Sequence, residues 1–180
     1  EVGAGEATNL LLIHESLCVR CNNCEVACAE THGGVSRLDR EAGPSFASIH
    51  VPTTCRHCEN PKCMTDCPPD AIRRHANGEV YIKDNCIGCG NCERNCPYHV
   101  IQMAPAEPLV RPGLLRRLLL GTPPSHFDAT AHGNEDVKKK AVKCDLCRDL
   151  PAGAACERSC PTGAIVRVQP KAYIDRLMRA

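Results

Sequence analysis

Apolar positions along this chain come in short bursts, set apart by polar stretches rich in Gly and Pro. The clearest alternation lies in HANGEVYIKDN, residues 75–85, where Val80 and Ile82 share one face of an extended segment and Asn77-Gly78 supplies a turn signal. A short antiparallel ribbon is predicted there. Three other bursts share a text: CPPDAI from Cys67, CPYHVI from Cys96 and CPTGAI from Cys160. Each cysteine in these bursts follows its neighbour by a three-residue step and precedes Pro and a small or apolar pair, a pattern that predicts a short helix running into a strand. Such repetition marks an internal repeat built from brief elements.

Residues 98–143 depart from this rhythm. Their first part, LVRPGLLRRLLLG, predicts a one- to two-turn amphipathic helix with Leu114, Leu115, Leu118 and Leu119 set against Arg116 and Arg117. The second part, TPPSHFDATAHGNEDVKKK, is polar with Pro and Gly and reads as a loop. The leucines suit three roles: packing on the chain's own surface, docking a partner, or a basic contact with a membrane surface. No run of about 18 apolar residues occurs, so no membrane span is expected. Residue 1 is Glu rather than Met, which reads as a processed start or as a segment of a longer chain.

Composition changes the picture of the interior. The 180 residues hold 16 cysteines but only two Phe, three Tyr and no Trp, so the organic core is thin and something else is expected to fill the middle. Cysteine at this density implies a disulfide scaffold or metal and redox chemistry, and spacing decides between them. The cysteines fall into four groups: Cys18, Cys21, Cys24 and Cys28; Cys55, Cys58, Cys63 and Cys67; Cys86, Cys89, Cys92 and Cys96; Cys144, Cys147, Cys156 and Cys160. Each opens with a two-residue step and closes with a three-residue step.

The third group, CIGCGNCERNCP, has the spacing C-x2-C-x2-C-x3-C-P, the bacterial ferredoxin signature for a 4Fe-4S cluster, in which the fourth cysteine ligates the other cluster of a pair. Structural zinc needs two CxxC pairs per site and gives no reason for this pattern. Disulfides fit such regular quartets no better. Linker lengths suggest the exchange partners. The short ribbon between groups two and three has the size that closes a two-cluster unit, which puts Cys55, Cys58, Cys63 and Cys96 on one cluster and Cys86, Cys89, Cys92 and Cys67 on another. Groups one and four then pair, giving Cys18, Cys21, Cys24 with Cys160, and Cys144, Cys147, Cys156 with Cys28. Four 4Fe-4S clusters are the expected cofactors.

With all sixteen thiolates assigned, His57 and His99 read as surface or hydrogen-bonding residues, with tuning of a cluster potential as the alternative role. Gly88 and Gly90 suit tight turns of positive φ and would let backbone amides approach inorganic sulfur. Each oxidised cluster carries about −2, which turns the apoprotein's formal +1 into roughly −7. Lys138, Lys139, Lys140 and Lys143 read as a solvated run or as an offset to a cluster's field. No aromatic or groove-reading pattern accompanies them, which argues against nucleic acid as a partner.

With its four groups in order, including CRHCENPKCMTDCP and KCDLCRDLPAGAACERSCP, the chain resembles the four-cluster ferredoxin-type electron-transfer subunits of dimethyl sulfoxide reductase, formate dehydrogenase and hydrogenase complexes. The resemblance runs from Leu17 to about Val168; the first group departs from it by ending Cys28-Ala29 without Pro, and the spacer before the fourth group is longer. It implies an α+β fold of tandem ferredoxin-like modules related by a pseudo-twofold. The inner module would span about residues 50–105, the outer module about 8–49 plus 138–170, and an insertion about 104–137. It also implies a non-catalytic electron relay. The partners would be a catalytic redox subunit of molybdenum- or tungsten-pterin, hydrogenase or flavin type, and a second donor or acceptor subunit. Nothing in the text offers a nucleophile with its base or a GxGxxG dinucleotide loop. A redox-sensing iron–sulfur protein and a freely diffusing polyferredoxin are the alternatives. A cytoplasmic setting is expected, with a periplasmic one, as part of an exported complex, as the alternative.

Overall fold

The computed structural model describes residues 6–106 and 138–179. The leucine stripe of residues 114–119 and most of the insertion lie outside the described residues. The described chain builds ten short strands and five helices, in keeping with the brief apolar bursts.

The first strand is β1, Leu10–His14, whose second residue, Leu11, is wholly buried. Helix α1, Asn23–Thr31, follows and carries Cys24 and Cys28 on its buried side. Strands β2 (Leu38–Asp39), β3 (Ser45–Phe46), β4 (Ile49–His50) and β5 (Thr53–Thr54) lead to α2, Lys62–Thr65. Next come β6 (Ile72–Arg74), β7 (Val80–Ile82), α3 (Asn91–Asn95) and β8 (Gln102–Pro105). Beyond the undescribed segment lie β9 (Lys139–Val142), α4 (Ala155–Arg158), β10 (Ile165–Val168) and α5 (Pro170–Leu177). No helix among the described residues is long and apolar enough to cross a membrane.

The predicted ribbon forms. Strands β6 and β7 pair antiparallel with Ile72 opposite Ile82, and Gly78 takes φ 87° in the connection. The Asn77 side-chain oxygen accepts from the Glu79 N–H at 3.0 Å, so this Asx turn holds a five-residue loop between the strands rather than a two-residue one. The helix-then-strand pattern also appears after groups two, three and four, as α2 to β6, α3 to β8 and α4 to β10. Group one differs: α1 is longer and, without a following Pro, runs on past Cys28 to Thr31.

Two of the packed cores contain the cysteines. One gathers Ile72, Val80, Val100 and Ile101 around cysteines of groups two and three, with Ala141 and Cys144 added from the far part of the chain. The other gathers Leu11, Ile13, Leu38 and Ile165 around cysteines of groups one and four. The second core is closed by the two ends of the chain, because β1 pairs antiparallel with β10 from Leu10↔Val168 to Ile13↔Ile165. Strand β1 also pairs with β4, and β4 with β3, completing a four-stranded sheet in the order β10-β1-β4-β3.

Strands β8 and β9 form another antiparallel ribbon, with Pro105 opposite Lys139 and the Ala106 N–H donating to the Lys138 carbonyl at 2.8 Å. Pairing therefore reaches into the stretch where the sequence pattern had placed the start of the insertion. Gly88 explains part of this packing: a Cβ there would lie 2.1 Å from the Lys139 carbonyl oxygen, so the cysteine-rich loop and β9 can touch only at a residue without a side chain. Gly90, with φ 76° at the N-cap of α3, meets only the flexible end of Arg94 and is explained by its left-handed backbone alone.

Candidate metal centre

Helix starts and tight loops place the thiols. Cys18 and Cys21 stand in the loop before α1, Cys24 and Cys28 on the helix itself, and Cys160 in the turn between α4 and β10. Because β1 and β10 pair, that turn is brought against the loop before α1. Cys18, Cys21, Cys24 and Cys160 line one small cavity, with Ile13, Ala164 and Ile165 among its apolar walls. A second small cavity is lined by Cys55, Cys58, Cys63 and Cys96, with Val80, Val100 and Ile101. Each cavity takes three cysteines from one group and the last from another.

Electrostatics relates seven of the remaining eight to one another. The Cys92 thiol is pushed up to about 11 by burial, and then by charge on Cys86, Cys67 and Cys89. Burial pushes Cys156 up to about 12; the guanidinium of Arg167 opposes this, and Cys144 and Cys28 add to it. In the second cavity burial raises Cys63 to about 12, with Cys55, Cys96 and Cys58 contributing. Thiols in such surroundings keep their protons at neutral pH, so a metal that takes them as thiolates must displace those protons.

Backbone and cationic groups face the sulfurs. The N–H of Arg37 donates to Cys28 Sγ at 3.3 Å and that of Ala71 to Cys67 Sγ at 3.2 Å. Arg167, on β10, puts Nη2 3.5 Å from Cys144 Sγ. Lys143 is buried, donating from Nζ to the carbonyls of Val80 and Cys144, and its charge draws the Cys55 thiol back down against the effect of burial. The lysine run therefore divides. Lys143 sits inside, beside Val80 and Cys144, while half-buried Lys140 reaches the Asp84 carbonyl at 3.0 Å.

The two histidines divide between the surface and hydrogen-bonding roles read in the sequence. His99 is exposed, but His57 is wholly buried and accepts from the Val80 N–H. Another set, His32, Arg37 and Asp145, escaped the sequence reading. His32 Nε2 donates to Asp145 Oδ1 at 3.1 Å, and Arg37 Nη1 to Asp145 Oδ2 at 2.5 Å. On its other side, His32 Nδ1 lies 2.7 Å from the Cys28 carbonyl and 3.6 Å from Cys28 Sγ. Burial works against the imidazolium, but hydrogen bonds to Asp145, Cys147 and Cys28 outweigh it and push His32 up to about 12. The ligand atoms of His32, Asp145 and Cys147 all lie within 4.8 Å of one another. Asp145 Oδ1 also accepts from the Cys147 N–H at 3.0 Å, so the set braces group four against group one. A separation of 113 residues between His32 and Asp145 leaves no local sequence signal.

The residues present fit 4Fe-4S clusters: four-thiol cavities with apolar walls, N–H groups aimed at sulfur, and a buried histidine nitrogen without a partner among the described residues. Comparison with known proteins agrees. Residues 46–111 match one 4Fe-4S dicluster domain family and residues 85–164 another. The chain is 33% identical over 168 residues to hydrogenase-4 component A of Escherichia coli K12, covering 87% of this chain and 81% of that protein. It belongs to the ferredoxin-type 4Fe-4S electron-transfer family. Other members similar to it are formate hydrogenlyase subunit 2 of the same organism, 31% identical over 161 residues (86% and 79% of the two chains), and its electron transport protein HydN, 29% identical over 167 residues (88% and 86%).

Proposed function

We propose that this ferredoxin-type protein relays single electrons between a donor subunit and a catalytic partner through four 4Fe-4S clusters, and that catalysis itself belongs to the partner. The observation that carries the reading is the pair of cavities lined by Cys18, Cys21, Cys24 and Cys160 and by Cys55, Cys58, Cys63 and Cys96. The surroundings of Cys92 and Cys156, with His32 close to both Cys28 and Cys147, support Cys86, Cys89, Cys92 with Cys67, and Cys144, Cys147, Cys156 with Cys28, as the other two sets. When bound, such clusters supply one-electron carriers whose potentials depend on hydrogen bonds and charge at sulfur.

The chain's own residues then do three things. The cysteines hold metal within apolar walls, backbone amides and Arg167 stabilise negative charge on sulfur, and Lys143 offsets charge beside Cys55 and Cys144. In this reading an inner and an outer ferredoxin-like module are related by a pseudo-twofold. Its support is a matching layout, with β6–β7 beside α2 and α3 in one unit and β1–β10 beside α1 and α4 in the other. Of the sixteen cysteines only Cys21 and Cys89 are exposed, flanked by exposed Val19 and Ile87 respectively. We assign these two points to the donor and acceptor subunits. The names of the relatives favour a hydrogenase-type or formate-linked catalytic partner. A reducing, cytoplasmic setting suits thiols that await metal.

Iron analysis together with mutation of one shared ligand tests the reading. The purified chain is expected to hold about sixteen iron atoms and as many acid-labile sulfides. Stoichiometric zinc would overturn it. Co-purification with a catalytic subunit separates the relay from a freely diffusing carrier, which would deliver electrons without a stable partner.

A further inference from the structure

His57 stands between Cys55 and Cys58, and 0% of its surface is exposed. One ring nitrogen is committed. The Val80 N–H, on β7, donates to Nδ1 at 3.0 Å, and an acceptor nitrogen carries no proton. The proton of the neutral ring therefore sits on Nε2. Nε2 is shut away from water and has no hydrogen-bond partner among the described residues. Leaving such a donor unsatisfied costs about 1–3 kcal/mol, and buried polar groups are seldom left so.

The place of the ring says what the partner is. His57 lines the same cavity as Cys55, Cys58, Cys63 and Cys96. Its backbone N–H already supports the Cys55 thiolate, and the Thr8 hydroxyl donates to its carbonyl at 2.5 Å, which pins the residue at a left-handed φ of 48°. We propose that His57 Nε2–H donates a hydrogen bond to sulfur of the cluster held by Cys55, Cys58, Cys63 and Cys96, and so raises the reduction potential of that one cluster above what its cysteines alone would set. The inference rests on the ligand sets proposed above. A hydrogen bond to sulfur stabilises the reduced cluster more than the oxidised one, because the reduced form carries the extra negative charge.

The test compares His57→Leu, which fills the space without a donor, and His57→Gln, which keeps an N–H at similar reach, with the unaltered holoprotein. Each is titrated electrochemically and followed by EPR, with the relevant signal identified as the one that Cys63→Ser perturbs. All three proteins are expected to retain about sixteen iron atoms. His57→Leu should lower the potential of that signal alone, by as much as a tenfold change in the oxidised-to-reduced ratio at fixed ambient potential, about 59 mV for one electron. His57→Gln should recover most of the shift. In unaltered protein labelled with ¹⁵N-histidine, pulsed EPR should show a nitrogen coupling on the same signal. Full iron with an unshifted potential in His57→Leu, or a shift confined to another signal, overturns the proposal. If His57→Leu fails to load iron, the labelled protein decides, and absence of coupling overturns it. Iron far below sixteen in the unaltered chain would instead defeat the four-cluster reading, a distinct failure.

Discussion

Cys96 is the residue on which the exchange of ligands turns. It ends the third group yet lines the cavity of Cys55, Cys58 and Cys63. Cys96→Ser should therefore disturb the EPR signal that Cys63→Ser disturbs and leave the Cys86, Cys89, Cys92 signal intact, with iron falling toward about twelve. Loss confined to the third group's own signal would sink the exchanged sets. Gly88 makes a different point, since its constraint comes from packing rather than sulfur. In Gly88→Ala the new methyl group must displace the Lys139 backbone at a φ of 72°. A loss of about 1–3 kcal/mol is expected in urea denaturation of the holoprotein.

Among the elements, the pairing of β1 with β10 matters most to the outer thiols. It joins the N-terminal strand to the strand that follows Cys160, and so sets that cysteine beside Cys18, Cys21 and Cys24. Leu11, at 0% exposure, is the central side chain of this seam. Leu11→Ala should destabilise the protein by about 2–5 kcal/mol through the cavity it leaves. The EPR signals assigned to groups one and four should weaken before those of groups two and three during thermal unfolding. Equal loss of all signals at one temperature would show instead that the two cores melt as one unit.

For the whole molecule, charge is the simplest readout. The apoprotein is nearly neutral at +1, and four oxidised clusters would bring it to roughly −7. Holoprotein should elute later than apoprotein from an anion exchanger at neutral pH. Two clusters rather than four would give roughly half the charge change. The same four clusters would fill the interior that two Phe, three Tyr and no Trp leave thin.

Spacing alone identifies the chemistry, because a three-residue step into Cys-Pro after CxxC pairs suits a cubane and no other common metal. The ribbon at Asn77-Gly78 is equally legible, since turn chemistry and alternation are local. What lies beyond local sequence is which groups meet. Cys160 reaches Cys18 through a strand pair spanning the length of the chain, and His32 reaches Asp145 across 113 residues. His57 shows the limit most clearly. Its neighbours in CRHC mark it as close to metal, but only the fold buries it, occupies Nδ1 with the Val80 amide and leaves Nε2 without a partner among the described residues. Periodicity and ligand spacing are carried by neighbouring residues, whereas burial and the partner of a single nitrogen depend on contacts that exist only once distant segments have packed.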